Sequence, residues 1–274
     1  MNNFLDFWSP EDIEPIPTEE IFLMLADLGI PVTEEMFLEE VAACHSAAEI
    51  YKRWKSLYVI MAEGRDADFP WMAADVLWRR LAPDKISVEM LDDMMQEGYE
   101  LIEEGDPQGC HIWLEIWEVL KPRFTPEMRK VDDANSVFEG SEFLSNWCQD
   151  LEMELRDAAV HDPTFHDLRI RYCREFCEFF PEETITVPNM KRAVAESLYL
   201  SGKTDEADLE FLACVAADPK DPWNYIIWGD MYSGMEGQPS DPSRAEDLYR
   251  KALGLDPQED KGIRERIADL RKRR

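Results

Sequence analysis

The residues best suited to chemistry fall into a few spaced groups. Cys44-His45 is followed by Glu49 and Cys110-His111 by Glu115, so the pattern Cys-His-x-x-x-Glu occurs twice. On a helix, His and Glu four apart share a face, and two such faces meeting would supply metal ligands. The adjacent Cys points about 100° away, so the ligands of one copy do not converge easily. Chance pairing of a buried Cys with a helix-terminal His is the simpler reading. Cys173 and Cys177 lie one helical turn apart, beside Phe176 and Phe180, with no second Cys pair to complete a site; packing is their expected role. His161 and His166 frame Asp162-Pro163 and are expected to belong to a capped turn. No GxGxxG, GxxxxGK[ST] or GxSxG motif is present, and Gly202-Lys203-Thr204 has Ser197 where a phosphate loop needs its first Gly. Catalytic residues, a metal and a cofactor are therefore not expected.

The setting of these residues is strongly acidic. Twenty-nine Lys and Arg stand against 59 Asp and Glu, a formal charge of −30 over 274 residues. Nucleic-acid binding relies on clustered cations, and adsorption to anionic membranes does too, so neither is expected. A hydrophobic fraction of 45%, with nine Trp and thirteen Phe, argues for a packed core rather than a disordered acidic chain. No apolar run approaches the ~20 residues of a spanning helix, and Met1 to Pro10 does not read as a secretory signal. The six cysteines are dispersed without a CxxC, which fits reduced thiols and a cytoplasmic protein. The first 51 residues hold twelve carboxylates and no Lys or Arg; the last 24, from Lys251, hold eight basic residues against five acidic ones. That polarity suggests head-to-tail association, or more simply cations at the negative end of a terminal helix.

The elements that must position these groups read as helices throughout. Thr18 is a candidate N-cap for Glu19 to Leu28, which Gly29 and Pro31 end. Thr33-Glu34-Glu35 opens a helix to about His45, and Ala47 to Met61 carries Ile50, Trp54, Leu57, Tyr58 and Met61 at helical spacing. Pro70 suits the first turn of a helix through Leu81, stopped by Pro83. Ser87 opens another ending near Gly105, and Gln108 to Lys121 ends at Pro122. Ser141 to Val160 and Thr164 to Phe179 form a further helix–turn–helix. No strand is expected. The predicted class is all-α, antiparallel helical hairpins stacked as an α-solenoid, with a helical region over 1–135 and repeats over 136–274.

The repeats are the most specific signal. Ala207, Phe211, Cys214 and Pro219 align with Ala245, Tyr249, Ala252 and Pro257 at a separation of 38. Val194-Ala195-Leu198 aligns with Trp228-Gly229-Tyr232 at 34. Small residues (Ala195, Gly229, Ala207, Ala245) let helices approach, and large ones fill the gaps. This pattern resembles the tetratricopeptide repeat. The extra four residues are expected within 233–239, and 261–274 is expected to be a polar capping helix. Over about 87–257, the strings Asn146-Trp147-Cys148-Gln149-Asp150-Leu151-Glu152, Arg171-Tyr172-Cys173-Arg174-Glu175-Phe176 and Trp228-Gly229-Asp230-Met231-Tyr232 also resemble the helical body of bacterial proteins that carry a SEC-C zinc motif. This chain ends Arg-Lys-Arg-Arg without that Cys-rich tail, so the tail's zinc and associations are not implied.

In the repeat that the chain resembles, inner helices line a concave groove. The positions matching it are Asn189, Arg192, Glu196 and Tyr199, then Trp223, Ile226 and Asp230. Tyr199 and Trp223 serve equally well as seals between units. Glu196 and Asp230 disfavour a clamp for C-terminal carboxylates and favour a basic or mixed-charge peptide. The expected function is a non-enzymatic scaffold binding a protein or peptide in this groove. Its rivals are a metal protein or enzyme built on the two Cys-His-x-x-x-Glu segments, and an acidic mimic of nucleic acid.

Overall fold

The computed structural model describes residues 8–234, 240–255 and 262–273. Among them fourteen α-helices and three short 3-10 turns follow one another, and there is no strand. The protein is all-α, its helices packed as neighbouring pairs. None of the described helices is long and apolar enough to cross a membrane.

The chain divides into two compact units. One comprises Met1–Glu104, His111–Arg123 and Ser136–Glu142; the other comprises Gly105–Cys110, Phe124–Asn135 and Phe143–Arg274.

In the first unit, α1 (Pro10–Ile13), α2 (Thr18–Asp27), α3 (Glu34–Ala43), α4 (Ala47–Leu57) and α5 (Phe69–Leu81) enclose an aromatic core. Phe37 sits 6.2 Å from Phe22 and 6.3 Å from Trp54, ring centre to ring centre. The helix starts follow local chemistry. Thr33 and Ser87 accept the backbone N–H of Met36 and Met90, capping α3 and α6 (Val88–Glu103). Thr18 does not cap α2: Pro17 holds that position, and Thr18 Oγ1 accepts a hydrogen bond from Arg80 instead.

The helix expected over 47–61 stops at Leu57, leaving Leu57 and Met61 exposed. The reason is tertiary: the Met61 N–H donates to Leu28 O at 2.9 Å, which an uninterrupted helix would forbid. Helix α7 (Gln108–Leu120) runs into a 3-10 turn at Lys121–Arg123. Gly98 of α6 is required by packing, since a Cβ there would lie 2.0 Å from Trp113 Nε1.

The second unit is a run of hairpins: α8 (Leu144–Ala159) with α9 (Thr164–Phe179), α10 (Thr186–Leu200) with α11 (Thr204–Ala217), and α12 (Trp223–Tyr232) with α13 (Pro242–Leu255). Helix α14 (Ile263–Arg273) packs on α13 and contributes Ile263 and Leu270 to the core around Ile226 and Tyr249. The small repeat positions work as sites of close approach. Ala195, Ala207 and Ala245 are fully buried, and a Cβ on Gly229 would come 2.6 Å from the Tyr249 ring. The tripeptide at 202–204 is an inter-helix turn, with Gly202 at φ +80°. From Met235 to Pro239 the expected insertion lies outside the described residues, as do residues 1–7, Pro257, the 258–261 lead-in and Arg274.

Candidate functional site

Three arginines of the second unit, on α9, α10 and α14, stand in fixed ion pairs. Arg169, on α9, is 3% exposed, and its charge is matched on both sides. Its guanidinium pairs with Glu152 of α8 (Nε at 2.8 Å) and with Glu196 of α10 (2.8 Å), and donates to Ser197 Oγ at 3.0 Å. Burial disfavours the charge, but the two carboxylates outweigh it and hold the guanidinium above its ordinary value. Arg192 of α10 donates to Asp221 (2.5 Å), Asn224 (2.9 Å) and Asn189 (2.5 Å). Arg266 of α14 holds Asp230 of α12 with two hydrogen bonds, at 2.8 and 3.3 Å, and the Tyr249 hydroxyl donates to the same carboxylate at 2.6 Å.

The three arginines, with Glu152, Glu196 and Asp230, line a cavity of ≈ 390 Å³. A second cavity of ≈ 350 Å³ is walled by Ala159, Val160, Pro163, His166 and Leu200. Arg156 and Glu196 line both, so the two cavities adjoin and together make a trough-like surface on α8, α9, α10, α12 and α14. Most of the charges in the trough are tied to each other in fixed geometry, which orders the surface before any ligand arrives. Arg156 differs. Its side chain is 53% exposed, and the Glu196 Oε1 beside it lies 3.8 Å away, while Arg169 holds the other oxygen of that carboxylate. It is the cation in the trough best placed to meet an incoming anion.

His166 adds a neutral polar group. It is 7% exposed, and its Nδ1 is buried without a hydrogen-bond partner. Burial and the nearby Arg169 push it below the ordinary histidine value, against the opposing pull of Glu196 and Asp167.

Of the seven positions read from the repeat, Asn189, Arg192, Glu196 and Asp230 come together in this trough. Tyr199 and Ile226 do not. Tyr199 is 1% exposed and meets the Tyr232 ring edge-on at 5.1 Å, sealing one hairpin to the next. Ile226 is wholly buried in the core beneath α13 and α14. Trp223, the first residue of α12, is 40% exposed and lies outside both cavities. Glu152, Arg156, Arg169 and Arg266 are trough residues that repeat alignment missed, because they stand on helices outside the two aligned units. Two of the described C-terminal cations are used internally: besides Arg266 on Asp230, Arg271 bonds Glu246 at 2.8 Å.

The other sequence candidates resolve into local roles. His45 is not on a helix face. It precedes the start of α4, and its N–H donates to Glu49 Oε2 at 2.9 Å while Ser46 accepts from Glu49 N, so the segment closes a helix end. Cys44 is buried, which raises its thiol, and Arg53 donates to its sulfur at 3.3 Å. Burial raises Cys110 to about 12 and Cys177 to about 11. Both are thiols rather than thiolates at neutral pH. Asp162 caps Thr164 through two hydrogen bonds at the turn between His161 and His166. Among the described residues no group of three His, Cys, Asp or Glu is placed to hold a metal ion. Comparison of the chain with protein-family models and with curated proteins returned no match.

Proposed function

We propose that the second unit is a tetratricopeptide-like helical repeat, akin to the body of SEC-C-associated proteins, and that it acts as a cytoplasmic, non-enzymatic scaffold. Its trough takes an extended peptide or a protein segment of mixed charge. The observation that carries this reading is the adjacency of the two cavities, which share Arg156 and Glu196 in their walls. Adjoining, ordered, charged cavities along successive hairpins suit a polypeptide better than a compact metabolite. The overall charge of −30 draws cationic partners at long range. Locally, the loosely held Arg156 selects an acidic side chain, and Val160, Pro163 and Leu200 accept an apolar neighbour of it.

The test is affinity capture followed by calorimetry on whichever partner peptide is identified. Arg156→Glu alters an exposed side chain and leaves the fold intact by circular dichroism. It is expected to weaken binding at least tenfold, or about 1.4 kcal/mol. Equal binding by the native and Arg156→Glu proteins would sink the reading. Tyr199→Ala is unsuitable for this purpose, because it empties a buried hairpin seal.

A further inference from the structure

Helix α11 is apolar on two opposite sides. At 100° per residue, Ala207, Phe211 and Cys214 fall on one side, and Leu209, Leu212, Ala213 and Ala216 fall on the other. The first set is buried, in a helix that packs against α10 and α12. The second set faces solvent, with Leu209 67% and Leu212 52% exposed and both alanines exposed as well. A solvated helix face is normally polar. Here the exposed apolar residues stand at i, i+3, i+4 and i+7, the spacing of a seam that receives another helix. Alanine at two of the four positions lets a second backbone come close. A cavity of ≈ 300 Å³ opens beside the seam at Ala213, with Cys177, Val194 and Cys214 in its lining and the Arg174–Glu210 ion pair, 2.8 Å, across it.

The charges carried by α11 itself have one sign, while Arg174 and Lys191 line the cavity beside it. Helix α11 contains Asp205, Glu206, Asp208 and Glu210 and no Lys or Arg. Arg244 already holds Asp208 and Arg174 holds Glu210, whereas Asp205 and Glu206 are exposed at the start of the helix. A second copy packed seam to seam would set these carboxylates against each other. A helix whose apolar stripe is flanked by Lys and Arg would complement them.

We propose that the outer face of α11 docks a cationic amphipathic helix of a protein partner, with the partner's aliphatic stripe on Leu209, Leu212, Ala213 and Ala216 and its cations toward Asp205 and Glu206. No residue of α11 lines the trough of Arg156 and Glu196, so this surface is separate from the one proposed above.

The probe is a fluorescent Leu/Lys helical peptide of about 18 residues, long enough to hold a helix on contact. Anisotropy is measured on the full chain, on Leu209→Ser/Leu212→Ser, and on Arg156→Glu. Binding by the native protein and by Arg156→Glu, with at least a tenfold loss in the double variant, supports the proposal. An Ala/Lys peptide of equal charge is expected to bind at least tenfold more weakly than the Leu/Lys peptide. Equal binding by native and double-variant proteins, or equal binding of the two peptides, overturns it, because charge alone would then explain the association. Sedimentation of the native protein closes the remaining route: self-association that the double variant abolishes would make a second copy the occupant and the proposal wrong. Both leucines are solvent-facing, so the double variant is expected to melt within a few degrees of the native protein.

Discussion

The two units use their cations differently. In the first, Arg80 donates to the carbonyls of Ile13, Glu14 and Ile16, Lys85 to those of Val41 and Ala42, and Arg123 to that of Ile86. These are backbone groups at helix ends and in connecting segments, where no intrahelical donor reaches them. In the second unit the cations sit on carboxylates: Arg169 on Glu152 and Glu196, Arg192 on Asp221, Arg244 on Asp208, Arg266 on Asp230. Arg79, which bridges Asp75 and Asp93, is an exception in the first unit. The difference follows from architecture. Irregular connections leave carbonyls to be satisfied, whereas repeated hairpins bring charged inner faces together and leave carboxylates to be neutralised.

That contrast makes the largest expected effect a comparison of two substitutions. Arg169→Leu strands Glu152 and Glu196 half-buried without their partner and should cost about 3–5 kcal/mol in urea unfolding. Arg80→Leu, which leaves neutral carbonyls to find water, should cost about 1–3 kcal/mol. Equal losses would break the distinction. Adding Glu152→Gln and Glu196→Gln to Arg169→Leu should restore much of the stability, because the stranded charges are gone.

Close packing is expected to treat the units alike. Gly98→Ala drives a methyl into Trp113 and Gly229→Ala drives one into Tyr249, each at about 1–3 kcal/mol by the same denaturation. If only Gly229→Ala is costly, close approach is a property of the repeats alone. Removing a cap is milder: Ser87→Ala and Thr33→Ala should each lower stability by about 1 kcal/mol.

The smallest effect is one of pH and belongs to the second unit. His166 titrates below its ordinary value of 6.5 in the folded protein, so the unfolded chain binds the proton more readily. Its contribution is fully present above pH 6.5 and is lost as pH falls through the lower folded value. His166→Leu should flatten the stability profile in that window, and an unchanged profile would show that His166 is not its source.

Much of the fold is legible in the amino-acid sequence. The starts of α3 and α6 were written in Thr33 and Ser87, and the approach of α12 to α13 was written in Gly229 and Tyr249. Legibility failed where a distant group won. Thr18 gave up its capping position to Pro17 and its hydroxyl to Arg80, 62 residues away. The periodic run through Met61 was cut at Leu57, with Met61 N–H bonded to Leu28 O. Tyr199 and Ile226 occupied groove positions by alignment, yet burial claimed them, since apolar area drives side chains inward wherever a neighbour covers them.

The amino-acid sequence alone determined the helical class and the hairpin period, because helix periodicity and the size of residues at 34- and 38-residue spacings are local or translational properties. The tertiary structure decided which charge meets which. Glu196 could have faced any of the 29 Lys and Arg, and its partnership with Arg169, from a helix outside the aligned units, is set by packing. Ion pairing has reach but no sequence period, so the trough exists only once the helices have brought its residues together.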